Sequence, residues 1–257
     1  MVIVDTHAHA GLSWFEPVEA LLFQMDKHGV AKAALVQYRG EYDNRYVLEC
    51  VRKYPDRFCA VVLVDVQQTD ACEKLEKWAR EGAVGVRFFP KDRSPDRDPL
   101  AIWRKASELG LVVSCLGTLE EFASPAFRGV AKALPDLKII VEHLAQAGYN
   151  TDLAMFKEAM RLAEYPNTYI KLGGLGEVLP RPFPAHTPPF DAPPPTVRMA
   201  YDAFGPKRMM WGSDYPPSGN REGYASALRL PMERVPFFTA RDKEWVFGKT
   251  ALAVWRF

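Results

Sequence analysis

"VIVDTHAHAG" (residues 2–11) runs from an apolar stretch straight into two histidines one residue apart. Residues 2–6 have the make-up of a short buried strand. Alternate side chains of a strand share a face, so His7 and His9 are expected to project side by side where it ends. Two imidazoles so placed can share a metal ion or flank a substrate oxygen, although the HxH pattern by itself also arises by chance.

Working outward from this stretch, apolar runs of strand length recur along the chain. They are "KAALVQ" (32–37), "CAVVLV" (59–64), "VGVRFF" (84–89), "LVVSCL" (111–116), "LKIIVE" (137–142), "TYIKL" (168–172) and "RMMWGS" (208–213). Such runs are apolar throughout rather than alternating, as parallel strands buried on both faces require. Helical patterns fill the intervals. "TDACEKLEKWAREG" offers Asp70 as N-cap with Glu73 three positions on, and Gly82 as a stop. "PLAIWRKASELG" runs from Pro99 in a first turn to Gly110 past the end. "TDLAMFKEAMRLAEYP" starts at Thr151 and cannot continue through Pro166.

Strand and helix alternating eight times in 257 residues predict an α/β fold, a single-domain (β/α)8 TIM barrel over residues 1–257. A doubly wound open sheet is the rival, but no GxGxxG follows the first strand. One stretch breaks the rhythm. "LPRPFPAHTPPFDAPPP" (179–195) carries eight prolines in 17 residues, so it cannot be a helix. On the C-terminal face of a barrel it reads as an active-site lid, with a disordered or partner-binding loop as the alternative.

Composition narrows the partners. With 33 basic and 32 acidic side chains, net charge offers no handle for nucleic acid or an anionic membrane. No run of about 18 apolar residues exists to span a bilayer, and no signal peptide is evident. The four cysteines form no CxxC pair, which fits reduced thiols and a cytoplasmic protein. A small-molecule substrate is the expected partner. Six tryptophans and 15 phenylalanines suffice for a homo-oligomer interface, yet are also normal for a barrel core.

In a barrel, catalytic side chains belong at the C-terminal ends of strands. His7 and His9 end strand 1, His143 closes strand 6 in "IIVEHLA", and Asp214 closes strand 8 in "MWGSDYP". Arg87 lies in strand 4, Lys171 in strand 7, and Tyr38 ends strand 2. His28, ahead of Gly29, reads as a helix C-terminal residue and is set aside. His186 falls in the proline-rich stretch, as lid decoration or a substrate contact. Each residue alone is weak; their convergence in one ring is what points to hydrolysis. Imidazoles and a carboxylate can hold one divalent ion, with His7, His9 and Asp214 as its ligands, and lower the pKa of bound water to about 7. Asp214 can then take the water proton while a histidine polarises the carbonyl. Without a metal, Asp214 can still be the base with His7, His9 and His143 around the carbonyl oxygen. Arg87 offers a planar fork for a substrate carboxylate, or makes a salt bridge inside the barrel. Lys171 is a further pocket candidate or points outward.

At these residues the chain resembles the amidohydrolase superfamily, in the amidohydrolase-related branch that contains 2-pyrone-4,6-dicarboxylate lactonase and the sugar-lactone hydrolases. The resemblance is carried by "VDTHAHA", "GVRFF", "LKIIVEHLA", "NTYIKLGGL", "RMMWGSDYP" and the closing "FGKTALAVWRF", in which Thr250 replaces the usual asparagine. It implies a barrel with His7, His9, His143 and Asp214 as the site. Metal-rich members of the superfamily carry a lysine after strand 4 and a histidine after strand 5. Here those strands give "RFFPKD", with Lys91 nearby, and "VVSCLGTL". A binuclear centre is therefore not expected; at most one divalent ion (zinc or manganese) and no organic cofactor are. The expected activity is opening of a small, carboxylated lactone. A metal-dependent aromatic-acid decarboxylase is the alternative, weakened by the missing strand 5 histidine. A non-catalytic ligand-binding barrel is the third reading, weakened by the complete His/Asp set.

Overall fold

Eight parallel strands follow one another in spatial order, β1 to β8: Ile3–Ala8, Val30–Val36, Phe58–Val62, Gly85–Phe88, Val112–Cys115, Ile139–Val141, Thr168–Leu172 and Met209–Trp211. These come from a computed structural model that describes residues 1–95, 97–148, 150–178 and 193–257. Each expected apolar run overlaps a strand, with ends moved by up to two residues. Residues 179–192 of the expected lid, His186 among them, lie outside the described residues. No described helix is long and apolar enough to cross a membrane.

β1 closes on the segment after β8. The Asp214 N–H donates to the His7 carbonyl at 2.8 Å, and the His9 N–H donates to the Tyr215 carbonyl at 2.8 Å. Side chains tighten the seam. Thr6 Oγ1 donates to the Trp211 carbonyl at 2.7 Å, while buried Asp5 accepts from the Ser213 N–H at 2.8 Å and from the Tyr224 hydroxyl at 3.1 Å. Gly212 has no side chain because there is no room for one. A Cβ there would lie 2.6 Å from the Cβ of His7.

The strand pleat sorts residues into two cores. Leu35, Ala60, Val62, Val86, Phe88, Val113 and Ile139 face the helices. Val36, Val61, Val112, Ile140 and Met210 fill the barrel, together with Val254 and Trp255 from the chain's end. Two residues further along their strands, on the same inward face, come Arg87, Ser114, Glu142 and Lys171. An apolar layer is thus roofed by a polar one, and the site stands on that roof.

β1 does not keep strict alternation. Val4 packs inside the barrel and Ala8 packs outside it, although four residues apart they should share a face. The pairing of β1 with β2 shifts register between Asp5 and Ala8. That irregularity switches the pleat and turns His7 and His9 inward.

Helix starts differ from expectation in local detail. The helix Ala71–Arg80 follows Asp70, but Asp70 makes no cap bond; its carboxylate pairs instead with Lys74 at 2.8 Å. Pro99 precedes the helix Ala101–Glu108 rather than lying in its first turn. The helix Leu153–Met160 is capped by Asp152, which accepts from the Ala154 and Met155 N–H groups; the Thr151 hydroxyl is taken by the Gly148 N–H. A charged carboxylate one residue nearer the helix is the better acceptor for its free N–H groups.

Candidate active site

The floor of the site is a chain of buried polar contacts. Arg87 donates from Nη2 to Glu142 Oε2 at 2.7 Å, and from Nη1 to the Gln37 carbonyl at 3.2 Å. The Ser114 hydroxyl donates to the other Glu142 oxygen at 2.6 Å and accepts from Lys171 Nζ at 2.8 Å. Lys171 Nζ also lies 3.0 Å from His7 Nδ1. Burial would push the Glu142 carboxyl up, but the charges of Arg87, Lys171 and His143 outweigh it and hold it at about 2. Burial brings Lys171 down to about 8, against the pull of Glu142.

At two residues the structure distinguishes the alternatives that the sequence left open. The Arg87 fork is not turned to substrate: Nε and Nη2 both engage Glu142, so the internal salt bridge is what it makes. Lys171 does not point outward; it is buried inside the barrel, 6.0 Å from the Trp255 ring.

Above this floor stand the histidines and Asp214. The His7 and His9 rings are 4.9 Å apart edge to face, and the His7 and His143 rings 4.6 Å apart. Oδ1 of Asp214 lies 3.5 Å from His9 Nε2 and 3.8 Å from His7 Nε2. His9 Nδ1 is 2.6 Å from the Val36 carbonyl, to which it donates, so Nε2 is the nitrogen turned to Asp214. His143 Nδ1 is hydrogen-bonded to Glu177. The ring is set by a local backbone device. His143 to Gln146 have φ of 50°, 50°, 57° and 60°, a left-handed turn without glycine, and Asp214 has φ 53°. Such conformations cost about 1–2 kcal/mol per residue and gather where a side chain must be aimed.

Burial and the surrounding cations (Lys171 first among them) hold His7 neutral, well below its ordinary range. His143 is raised: burial works against protonation, but Glu177, Asp214 and Glu142 prevail. Asp214 is lowered: burial raises it, but the His9 hydrogen bond and the charges of His143 and Arg221 win.

The sequence expectation grouped His7, His9 and Asp214 as metal ligands. The structure brings ligand atoms of His7, His143 and Asp214 within 4.8 Å of one another. His7 Nε2 is buried and has no hydrogen-bond partner among the described residues. Two imidazoles, one of them with an unpartnered nitrogen, and a carboxylate are a donor set that fits one small divalent ion. Lys91 does not enter the site; it is exposed and pairs with Glu121 at 2.9 Å. Tyr38 stands one ring away from the histidines, edge-on to Phe15 at 5.2 Å, and Phe15 stacks on His9 at 5.0 Å.

Sequence reasoning passed over Glu142, Ser114, Glu177, Arg221 and Glu222. Glu142 was visible as the residue before His143, and Ser114 as a lone hydroxyl inside an apolar strand. The "GGLG" of 173–176 was a signal too, since it makes room for Glu177 and Glu222. A Cβ at Gly173 would strike the Glu177 carboxylate, and one at Gly174 or Gly176 the Glu222 carboxylate.

Comparison with known proteins adds identity to geometry. A family profile described as Amidohydrolase matches residues 4–257. The chain is 28% identical over 242 residues to an L-fucono-1,5-lactonase of Burkholderia ambifaria, covering 90% of this chain and 81% of that one. It is 28% identical over 195 residues to a 4-sulfomuconolactone hydrolase of Hydrogenophaga intermedia, covering 74% of this chain but only 60% of that enzyme's length. Among solved structures, an amidohydrolase from Burkholderia multivorans with bound zinc superposes with a TM-score of 0.81 at 20% identity, covering 99% of both chains.

Proposed function

The chain belongs to the amidohydrolase family, and from that premise we propose that it hydrolyses a small lactone, with Asp214 as general base. The observation that carries the reading is the position of Asp214 Oδ1 between the Nε2 atoms of His7 and His9. The two relatives named as lactone hydrolases support the substrate class.

A water beside Asp214 Oδ1 gives up its proton to the carboxylate as its oxygen attacks the lactone carbonyl carbon. The acyl C–O bond of the ring then breaks, and the proton passes to the alkoxide leaving group, yielding a hydroxy acid. His9 Nε2 stands 3.5 Å from the same oxygen and helps to fix the direction of that carboxylate. While Lys171 is charged it donates to His7 Nδ1, which leaves Nε2–H as the donor for the carbonyl oxygen. His143, its Nδ1–H tied to Glu177, forms the facing wall. His7, His143 and Asp214 would hold a divalent ion such as zinc or manganese. Bound there, it would supply Lewis-acid polarisation and a more acidic water. Holding it through Nε2 requires the other His7 tautomer, with Nδ1–H donating to a neutral Lys171.

The test is acid release from a panel of pyrone, muconolactone and sugar lactones, followed with a pH indicator. Acidification by the wild type and its loss in Asp214→Asn, by roughly 10²–10⁴-fold, supports the reading. Full activity in Asp214→Asn sinks the mechanism, and no acid from any lactone sinks the function.

A further inference from the structure

We propose that Arg221 is a positioning residue for this reaction, acting through Asp214 and Glu177, and that the glycines at 173, 174 and 176 are there to seat its partners. This rests on the lactone-hydrolase reading for the reaction, but not for the geometry.

Arg221 lies seven residues beyond Asp214, yet folds back over it. The Ser218 N–H donates to the Asp214 carbonyl at 2.8 Å, and the Gly223 N–H to the Ser218 carbonyl at 2.8 Å, so the loop is closed by its own backbone. The guanidinium then reaches three carboxylates. Nη1 donates to Asp214 Oδ2 at 3.0 Å and lies 3.9 Å from Glu177 Oε1. Nε donates to Glu222 Oε2 at 3.3 Å. Glu177 Oε1 is the same oxygen that binds His143 Nδ1. One side chain therefore touches both the base and the group that orients the facing histidine.

The division of labour at Asp214 follows. With Oδ2 held by Arg221, the carboxylate cannot rotate freely, and Oδ1 is the oxygen left facing His7 and His9. A planar fork holds several carboxylates in fixed directions, which a lysine ammonium cannot reproduce. Three carboxylates around one guanidinium also leave a local excess of negative charge. That argues against Arg221 as a receptor for a substrate anion and for a role within the site. The glycines complete the device. Any side chain at Gly174 or Gly176 would displace Glu222, and one at Gly173 would displace Glu177.

The experiment compares wild type, Arg221→Lys and Arg221→Ala on the lactone that the wild type hydrolyses best, with and without added guanidinium chloride at low millimolar concentration. A crystal structure of Arg221→Ala is determined alongside. The expected result is a kcat lowered about 10–100-fold with KM little changed, the scale usual for residues that orient a site's inner groups. Lysine does not restore kcat, whereas guanidinium partly restores the alanine variant and leaves the wild type alone. In the crystal the Asp214 carboxylate turns away from His9. An unchanged kcat, a loss confined to KM, or Asp214 and Glu177 unmoved in Arg221→Ala would overturn the proposal. Should the wild type open no lactone, the functional reading falls while the crystal structure still decides this one. Should Arg221→Ala not fold, Gly176→Ala, whose added Cβ would meet the Glu222 side chain, moves Glu222 and leaves Arg221 and Asp214 in the sequence. A lower kcat at constant KM is then expected, and an unchanged kcat overturns the idea.

Discussion

Arg87 and Glu142 form a buried ion pair beneath the histidines, with Nη2 and Oε2 2.7 Å apart. Neither side chain has water to fall back on, and each also bonds another polar group of the floor. Removing one partner strands the other charge in a medium that solvates it poorly. Arg87→Met or Glu142→Leu alone is expected to cost about 3–5 kcal/mol, and the double variant much less than the sum. Urea unfolding of the four proteins measures this. An Arg87→Met protein of wild-type stability would show that the pair is not what occupies this arginine.

The same pair sets a pH dependence. The folded pKa of Glu142, about 2, lies below its ordinary value of 4.5. A group depressed on folding stabilises the native state above its unfolded pKa and loses that contribution as pH falls through the folded one. The Glu142 contribution is therefore complete above about pH 5 and drains away between about pH 4.5 and 2. Unfolding free energy measured from pH 7 down to pH 3 should fall more steeply for the wild type than for Glu142→Gln, which has no proton to gain. Parallel slopes would remove Glu142 as the cause.

These two tests concern residues that were unequally legible in the sequence. The eight strands were readable because parallel strands buried on both faces leave unbroken apolar runs, and a polar residue within a run, such as Arg87 or Lys171, marks the roof of the barrel. Which of its two roles Arg87 takes was not readable, because its partner Glu142 lies 55 residues away and only closure of the barrel brings them together. The inward turn of His7 and His9 was expected from their spacing alone, yet it depends on a register shift that no pattern in β1 announces. Likewise His143, rather than His9, joins the ligand cluster, because the left-handed turn from His143 to Gln146 aims its ring. Pairwise spacing carries no information on that turn. Arg221 was hidden for a simpler reason: a surface loop after a strand holds many charges, and only folding back over Asp214 distinguishes this one.

Gly212 offers a steric test of the seam between β1 and β8. An added Cβ would stand 2.6 Å from the His7 Cβ and 2.9 Å from the His7 backbone nitrogen, neither of which can move without disturbing the strand. Gly212→Ala is expected to cost about 1–3 kcal/mol, the range for overpacking, and to shift His7 off its line to Lys171. Thermal or denaturant unfolding reads the first effect. Activity at a temperature where the variant remains folded reads the second, with a loss at least as large as that of conservative changes elsewhere in the barrel. A variant that matches the wild type in both would mean that the seam opens more easily than the packing implies.

Metal loading can be tested independently of turnover. If His7, His143 and Asp214 hold one divalent ion, zinc or manganese should raise the unfolding temperature, because an ion that binds only the folded chain stabilises it by RT ln(1 + [L]/Kd). At a hundredfold excess over Kd this is about 2.7 kcal/mol. Binding must also expel the proton that Glu177 and Asp214 help to keep on His143, so the shift should grow with pH. His143→Ala should abolish most of the stabilisation, whereas His9→Ala, outside the ligand triple, should keep most of it. Elemental analysis of the protein after dialysis against chelator and reloading gives the stoichiometry, expected to be one ion per chain. Equal shifts in wild type and His143→Ala would place any bound metal elsewhere, and the site would then work through its imidazoles and Asp214 alone.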